Sequence, residues 1–237
     1  MSSFCVWTVV VILYQTIICV VFSWLTLECS FAPHSKEPRQ LTLIKLLYLY
    51  EPQACGRQYF YNHTTTYKQT VWFSTIVWPE NNHIATAFRN KVKLSLCLHL
   101  AWLGLALLNA SQGRRECGFY AVLLPLTATG VAILVVDLVH AALFLRDASF
   151  TTTESAILEY IGSGSVLRRI KKKAPYDEQL QPFIINDDTT WIALMFAYLS
   201  CRGVVQWIVN FWIVQDTYFK GLEVYRYLSP TRRGVKK

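Results

Sequence analysis

Four long apolar blocks, at residues 4–27, 94–110, 119–145 and 191–215, constrain what this chain can fold into more than any other feature. They run to 24, 17, 27 and 25 residues. A helix needs about 20 apolar residues to cross the hydrocarbon core of a bilayer, within a range of about 17–25. All four blocks reach that length, the second at the short end and the third with room for tilt or a kink. Apolar residues make up 53% of the chain and charged residues only 16%, against about 25% in an ordinary soluble domain. Apolar residues gathered in this way exclude a soluble globular enzyme, a disordered chain and a small secreted disulfide scaffold. They predict an all-α membrane protein, one four-helix transmembrane domain over residues 1–237.

The first block does not read as a signal peptide. Met1-Ser2-Ser3 carries no basic side chain, the apolar run is too long, and Ser23-Trp24-Leu25 is a poor cleavage site. It reads as a retained helix. The net charge is +8. No zinc-ligand spacing, helix-turn-helix or RNA-binding pattern accompanies that charge, so nucleic acid is not an expected partner. The excess reads as loop charge against anionic head groups. The expected partners are the lipid bilayer and other membrane proteins, in homo- or hetero-oligomers.

The connectors are unequal: residues 28–93, 111–118, 146–190 and 216–237. Eight residues between the second and third blocks force a tight helical hairpin. The sidedness cues conflict. The first and third connectors hold 14 Lys and Arg, against 8 for the amino terminus, second connector and tail. A bare positive-inside count would put the larger number in the cytosol, but that rule weakens for loops beyond about 60 residues. Two features of the first connector point the other way. Asn62-His63-Thr64 is a glycosylation sequon, and Cys29 and Cys55 form an even pair suited to an oxidising side. The preferred topology has both termini cytosolic, with 28–93 and 146–190 as first and second outer loops, and places the protein at the plasma membrane or a cell junction. The basic run Arg168, Arg169, Lys171, Lys172 and Lys173 stands against it, and would be an anionic-lipid site in the inverted arrangement.

Residues 58–78 are rich in aromatic and β-branched side chains, which favour strands. The pattern suggests a large first outer loop with β-structure, strands at 58–61 and 66–78 and a turn at 62–65, tied by Cys29 and Cys55; an irregular interfacial loop is the alternative. Residues 41–50 are too short to span and suit the membrane surface or the face of that sheet. A short helix is expected at 154–161.

Ionisable groups inside spanning helices need a partner or a task. Asp137 and His140 share a face of the third span. Arg202, Gln206 and Asn210 recur every four residues on the fourth, and Ser95 and His99 share a face of the second. The structural expectation is an ion pair of Asp137 with Arg202, with Gln206 and Asn210 as hydrogen-bonding glue. The functional alternative is a proton or ion path through Asp137, His140 and His99. Cys5, Cys19, Cys97 and Cys201 read as small apolar fillers. No zinc-protease, nucleophile-elbow, Cys-x-x-Cys or phosphate-loop motif occurs, so no catalytic residue, metal site or cofactor is expected.

Ser200-Cys201-Arg202-Gly203-Val204-Val205-Gln206-Trp207-Ile208-Val209-Asn210 resembles the last-helix pattern Arg-Gly-apolar-Val-x-Trp-x-x-Asn of arthropod tetraspan proteins of the pasiflora and fire exit type. The likeness covers about a dozen residues plus the four-span layout. It implies a septate-junction or glial-barrier membrane protein with cytosolic termini and no enzymatic activity, carried by Arg202, Gly203, Trp207 and Asn210. The long sequon-bearing first loop and the basic third loop depart from that pattern. The claudin run of Trp, Gly-Leu-Trp, Cys and Cys is missing. Of the Pro-Pro-x-Tyr tail of lysosomal four-span adaptors, only Ala174-Pro175-Tyr176 approaches. The leading expectation is a non-enzymatic tetraspan that assembles with other membrane proteins at a junction or barrier. A transporter or channel subunit and an endolysosomal adaptor are the alternatives.

Overall fold

The computed structural model describes residues 3–32, 37–56, 59–67, 70–77, 82–112, 116–162, 188–201 and 204–234. The long helices are α1 (Ser3–Leu27), α4 (His83–Gln112), α5 (Glu116–Ala148) and the pair α7 (Thr190–Ser200) and α8 (Val204–Gly234). Between α1 and α4 lie α2 (Arg39–Ile44), a π-helical turn (Lys45–Leu49), α3 (Pro52–Cys55) and strands β1 (Tyr59–Tyr67) and β2 (Thr70–Val77). The short helix α6 (Glu154–Tyr160) follows α5.

Four stretches are long and apolar enough to cross a membrane: Val6–Leu27, His83–Ser111, Val122–Ala148 and Thr190–Glu223. The protein is an integral membrane protein of the all-α class with four candidate spans. α1 shows why lipid is the right solvent. Its buried stripe is Thr8, Ile12, Gln15, Thr16, Ser23 and Thr26, mostly polar, while Val6, Trp7, Val10, Leu13, Tyr14, Ile17, Val21 and Trp24 are exposed. In water each exposed apolar side chain would forfeit about 25 cal/mol per Å² of surface left uncovered. Against acyl chains that penalty vanishes, and backbone and side-chain polar groups turn inward instead.

The second span differs from expectation at its start. α4 begins at His83 and not near residue 94. Buried Asn82 caps it, its Oδ1 accepting from the backbone N–H of Ile84 and Ala85 at 3.2 Å each. At about 1.5 Å per residue α4 is on the order of 45 Å long, beyond a hydrocarbon core of about 30 Å. Its polar first turns therefore belong to other surroundings than its apolar remainder.

The chain divides into two compact units. Unit 1 comprises residues 1–23, 92–143 and 197–237. Its core is Ile12, Trp102, Ala106, Leu126, Ile133 and Ile213. α5 and α8 pack closely there because residue 130 is glycine: a Cβ at that position would sit 2.6 Å from Cγ2 of Val214. Unit 2 comprises residues 24–91 and 144–196. Its core is a cluster of four rings, Tyr48, Phe88, Phe144 and Phe196. The Tyr48 centroid lies 5.7, 5.1 and 4.6 Å from the other three. Residues 41–50, expected at the membrane surface or on the sheet, are largely buried within unit 2. Leu43, Leu46, Leu47, Tyr48, Leu49 and Tyr50 are buried, and Tyr48 packs on α4, α5 and α7.

The first connector is helical over 39–49 and 52–55 before its chain enters the β1–β2 ladder, so among the described residues β-structure is one two-stranded hairpin. The ladder is antiparallel, running from Tyr59↔Val77 to Tyr67↔Thr70 with an irregularity between Tyr59 and Tyr61. The turn expected at 62–65 is strand: Asn62 pairs with Thr75 and Thr65 with Trp72. The β-branched run Thr64-Thr65-Thr66 suits strand better than turn. α6 forms one residue shorter than expected, with the Thr153 hydroxyl accepting from Ala156 N–H as its cap.

Candidate functional site

A covalent and an ionic clasp in unit 2 share the same few residues. α1 ends in a Schellman-type turn: Ser30 N–H bonds the Leu25 carbonyl at 3.1 Å, and Cys29 takes the left-handed conformation with φ 61°. A non-glycine residue pays a penalty there, of about 1 kcal/mol. Cys29 is fixed in that conformation by its disulfide to Cys55 at the end of α3, with Cα atoms 5.6 Å apart and 26 residues of separation. The pairing expected of these two cysteines is present.

Arg89, on the polar first turns of α4, completes the clasp. Its Nε lies 3.1 Å from a Glu51 carboxylate oxygen. Its Nη1 donates to the Thr26 carbonyl at 3.0 Å and its Nη2 to the Leu27 carbonyl at 3.1 Å. A cation on the last carbonyls of α1 is favoured by the helix dipole as well as by the hydrogen bonds. Nη1 also stands 3.7 and 3.5 Å from the two disulfide sulfurs, of Cys29 and Cys55. Thr86 hydrogen-bonds Glu51 from one turn earlier on α4. Arg89 and Glu51 are both buried, so neither charge is tolerable without the other. Asn82 adds a bond from Nδ2 to the Leu46 carbonyl at 2.8 Å, tying the α4 cap to the π-helical turn.

A second polar group in unit 2 centres on Asp147, at the end of α5. Asp147 is buried and accepts from the Tyr160 hydroxyl at 2.8 Å. Partial burial and that bond push the Tyr160 phenol up to about 12. Burial, followed by the nearby Asp147 charge, holds the Tyr48 phenol above its ordinary value too. Both tyrosines are therefore neutral hydroxyls at physiological pH. Phe150 stacks on Tyr160 with centroids 5.2 Å apart, and Lys91 Nζ lies 4.2 Å from the Phe144 ring centre. The arrangement is closely packed, with the Tyr160 hydroxyl bonded to Asp147 and the Tyr48 hydroxyl buried without a hydrogen-bond partner among the described residues.

Unit 1 holds the polar groups singled out in the spans. Gln15 and Asn210 form a reciprocal amide pair: Gln15 Nε2 donates to Asn210 Oδ1 at 2.6 Å and Asn210 Nδ2 to Gln15 Oε1 at 3.1 Å. Asn210 thus joins α8 to α1, an arrangement that the four-residue spacing in the last span did not disclose. His99 is buried, with Nδ1 2.6 Å from the Ser95 carbonyl of its own helix. The Cys19 sulfur, read as a small filler, lies 3.8 Å from the Ser95 hydroxyl and 4.0 Å from that of Ser23. Cys97 is exposed. Asp137 is buried, while His140 and Gln206 are half-buried. Arg202 lies outside the described residues, as do Arg168, Arg169, Lys171, Lys172 and Lys173. Asn62 lies within β1.

Among the described residues, no group of three or more His, Cys, Asp or Glu side chains is placed to hold a metal ion. The chain matches no family model, no curated protein and no solved structure.

Proposed function

We propose that the protein is a non-enzymatic tetraspan assembly component of cell junctions or an epithelial barrier, with unit 2 as its contact surface. The observation that carries the reading is the double clasp of Cys29–Cys55 and Arg89–Glu51. It closes residues 29–55 of a first connector that runs from residue 28 to 82, far longer than joining two helices requires. Rigid, disulfide-closed loops suit recognition because less ordering entropy is lost on binding. The β1–β2 hairpin, next in the chain after the clasp, serves as the β-structured contact element of the first outer loop. A disulfide persists on an oxidising side. Residues 28–93 are then outside or lumenal, and four spans put both termini in the cytosol. A glycan on Asn62 belongs to the same topology. The likeness of the last span to junctional tetraspans points in the same direction.

Mixed cultures of expressing and non-expressing epithelial cells test the function. The tagged full chain should concentrate at cell–cell contacts, and Cys29→Ser with Cys55→Ser should abolish that concentration while leaving surface export measurable. An even distribution around the cell, unaffected by the substitution, would contradict the proposal. Glycosidase should remove a mass increment that Asn62→Gln also removes; cytosolic labelling at that position would invert the topology.

A transporter or channel subunit is the second reading, favoured by buried Asp137 and His99 within spanning helices. Along α1, apolar Ile12, part of the unit 1 core, interrupts the polar stripe between Thr8 and Gln15. Such a plug opposes a continuous polar path through the described residues. Flux in proteoliposomes that disappears in Asp137→Asn would reverse the order of the two readings.

A further inference from the structure

Unit 1 contains a small cavity of about 10 Å³ beside its apolar core, lined by Thr8, Ile12, Trp102, Leu126, Thr127, Ile213, Val214 and Thr217. Three of those residues carry hydroxyls, one each from α1, α5 and α8. Their hydrogen-bonding states differ. Thr127 Oγ1 donates its proton to the Leu123 carbonyl at 2.9 Å, and Thr217 Oγ1 donates to the Ile213 carbonyl at 2.7 Å. Both are back-bonded to their own helices, which leaves each oxygen as an acceptor only. Thr8 is 8% exposed, and its Oγ1 has no hydrogen-bond partner among the described residues. It keeps both a proton to give and lone pairs to fill. A buried hydroxyl in that condition is destabilising unless something satisfies it.

We propose that this cavity is a binding site for a single structural water that joins α1, α5 and α8. Volume and chemistry agree. A cavity needs about 10–15 Å³, measured for the centre of a water-sized sphere, to hold one water, and a buried water typically makes about three hydrogen bonds. Here the water accepts from the Thr8 hydroxyl and donates one proton each to Thr127 Oγ1 and Thr217 Oγ1. Every hydroxyl and water proton at the site is then donated. The apolar walls of Ile12, Leu126, Ile213 and Val214 offer the water no competing partner. The site also accounts for threonine at position 8 on a helix whose other face is almost wholly apolar. Burying Thr8 beside the Ile12 core makes sense only if the hydroxyl is used.

Thr8→Val separates a wet cavity from a dry one by sign, because valine keeps the shape and removes the hydroxyl. The measurement is the unfolding equilibrium of the full chain in lipid nanodiscs. A bound water predicts that Thr8→Val lowers the folded-to-unfolded ratio about fivefold, and that Thr8→Ser, which keeps the hydroxyl, falls by less than half as much on a logarithmic scale. A dry cavity predicts the opposite, an unchanged or raised ratio in Thr8→Val, and that result would overturn the proposal. An experimental density map fine enough to show ordered water gives an independent reading if either variant fails to fold. A peak within about 3.2 Å of Thr8 Oγ1 and of the other two hydroxyl oxygens supports the site. Featureless density there, with the three threonines well ordered, overturns it.

Discussion

Unit 1 and unit 2 both bury polar groups, but they satisfy them differently. In unit 1 amides, hydroxyls and an imidazole pair across helices, as Gln15 does with Asn210, or to their own helix, as His99 does with the Ser95 carbonyl, and the carboxyl of Asp137 is buried there too. In unit 2 the interior holds a full ion pair, Arg89 with Glu51, beside a disulfide and a four-ring aromatic core. α1 turns Val10, Ile17 and Val21 outward, a face suited to lipid. The contrast teaches that hydrogen bonds and close backbone approach hold helices whose apolar faces meet lipid, where apolar burial between helices adds little. In unit 2 a covalent and an ionic clasp stand beside a well-filled aromatic and aliphatic core.

That contrast can be broken at four points, taken in falling order of effect. Arg89→Met leaves the Glu51 carboxylate buried without its cation and should destabilise unit 2 by about 3–5 kcal/mol. Limited proteolysis should then cut within residues 28–82 while the spans stay protected, and adding Glu51→Gln should restore part of the loss. Cleavage spread evenly over both units would show that the two are not separately stabilised. Cys29→Ser with Cys55→Ser releases a closed loop of 26-residue separation, worth about 3 kcal/mol in the chain-entropy account. A dithiol reductant should reproduce the shift in thermal unfolding in the wild-type protein and do nothing further to the variant.

In unit 1, Gly130→Ala should cost about 1–3 kcal/mol through overpacking. The new Cβ would meet Val214 Cγ2 at 2.6 Å, and a β-branched side chain has little freedom to move away. Gly221→Ala is the control. Its Cβ would meet Leu123 Cδ2 at 2.8 Å, the far end of a side chain that can rotate, so detergent unfolding should register a smaller loss. The mildest change is Asn210→Leu, which removes both amide bonds to Gln15 at about 0.6–2 kcal/mol. Combining it with Gln15→Leu should be less damaging than the sum of the two single changes, because no amide is then left buried alone. Strict additivity would argue that the pair does not interact in the bilayer.

Much of unit 1 was legible in the sequence, because hydropathy over 20 or so residues reports a spanning helix directly. Its internal pairing was not. A four-residue recurrence of Arg202, Gln206 and Asn210 defines a face but says nothing of which helix meets it, and the partner of Asn210 proved to be the single amide of α1. The polar stripe of α1 was hidden for a related reason: Thr and Ser score near neutral, so Thr8, Thr16 and Ser23 looked incidental among apolar neighbours. Unit 2 was less legible. The first turns of α4 hold Arg89, Lys91 and Lys93, so no apolar run announces them, and only Asn82 ahead of Ile84 and Ala85 carries a capping signal. Residues 41–50 were too short to read as a span and too apolar for a loop. Their burial depends on Phe88, Phe144 and Phe196, which lie far away in sequence. The paired cysteines were the exception, since two in one connector leave a single pairing.

The central claim is that α1 stands in the bilayer with its polar stripe inward and its apolar face on lipid. A nitroxide scan over residues 6–24 of the full chain in liposomes, read for collision with oxygen and with a water-soluble nickel chelate, tests it most directly. Labels at Val10, Leu13, Ile17 and Val21 should be open to oxygen and closed to nickel, those at Ile12, Thr16 and Ser23 should be closed to both, and the signal should repeat every 3.6 residues. Nickel access along the Val10–Ile17–Val21 face, or accessibility without helical period, would contradict the account.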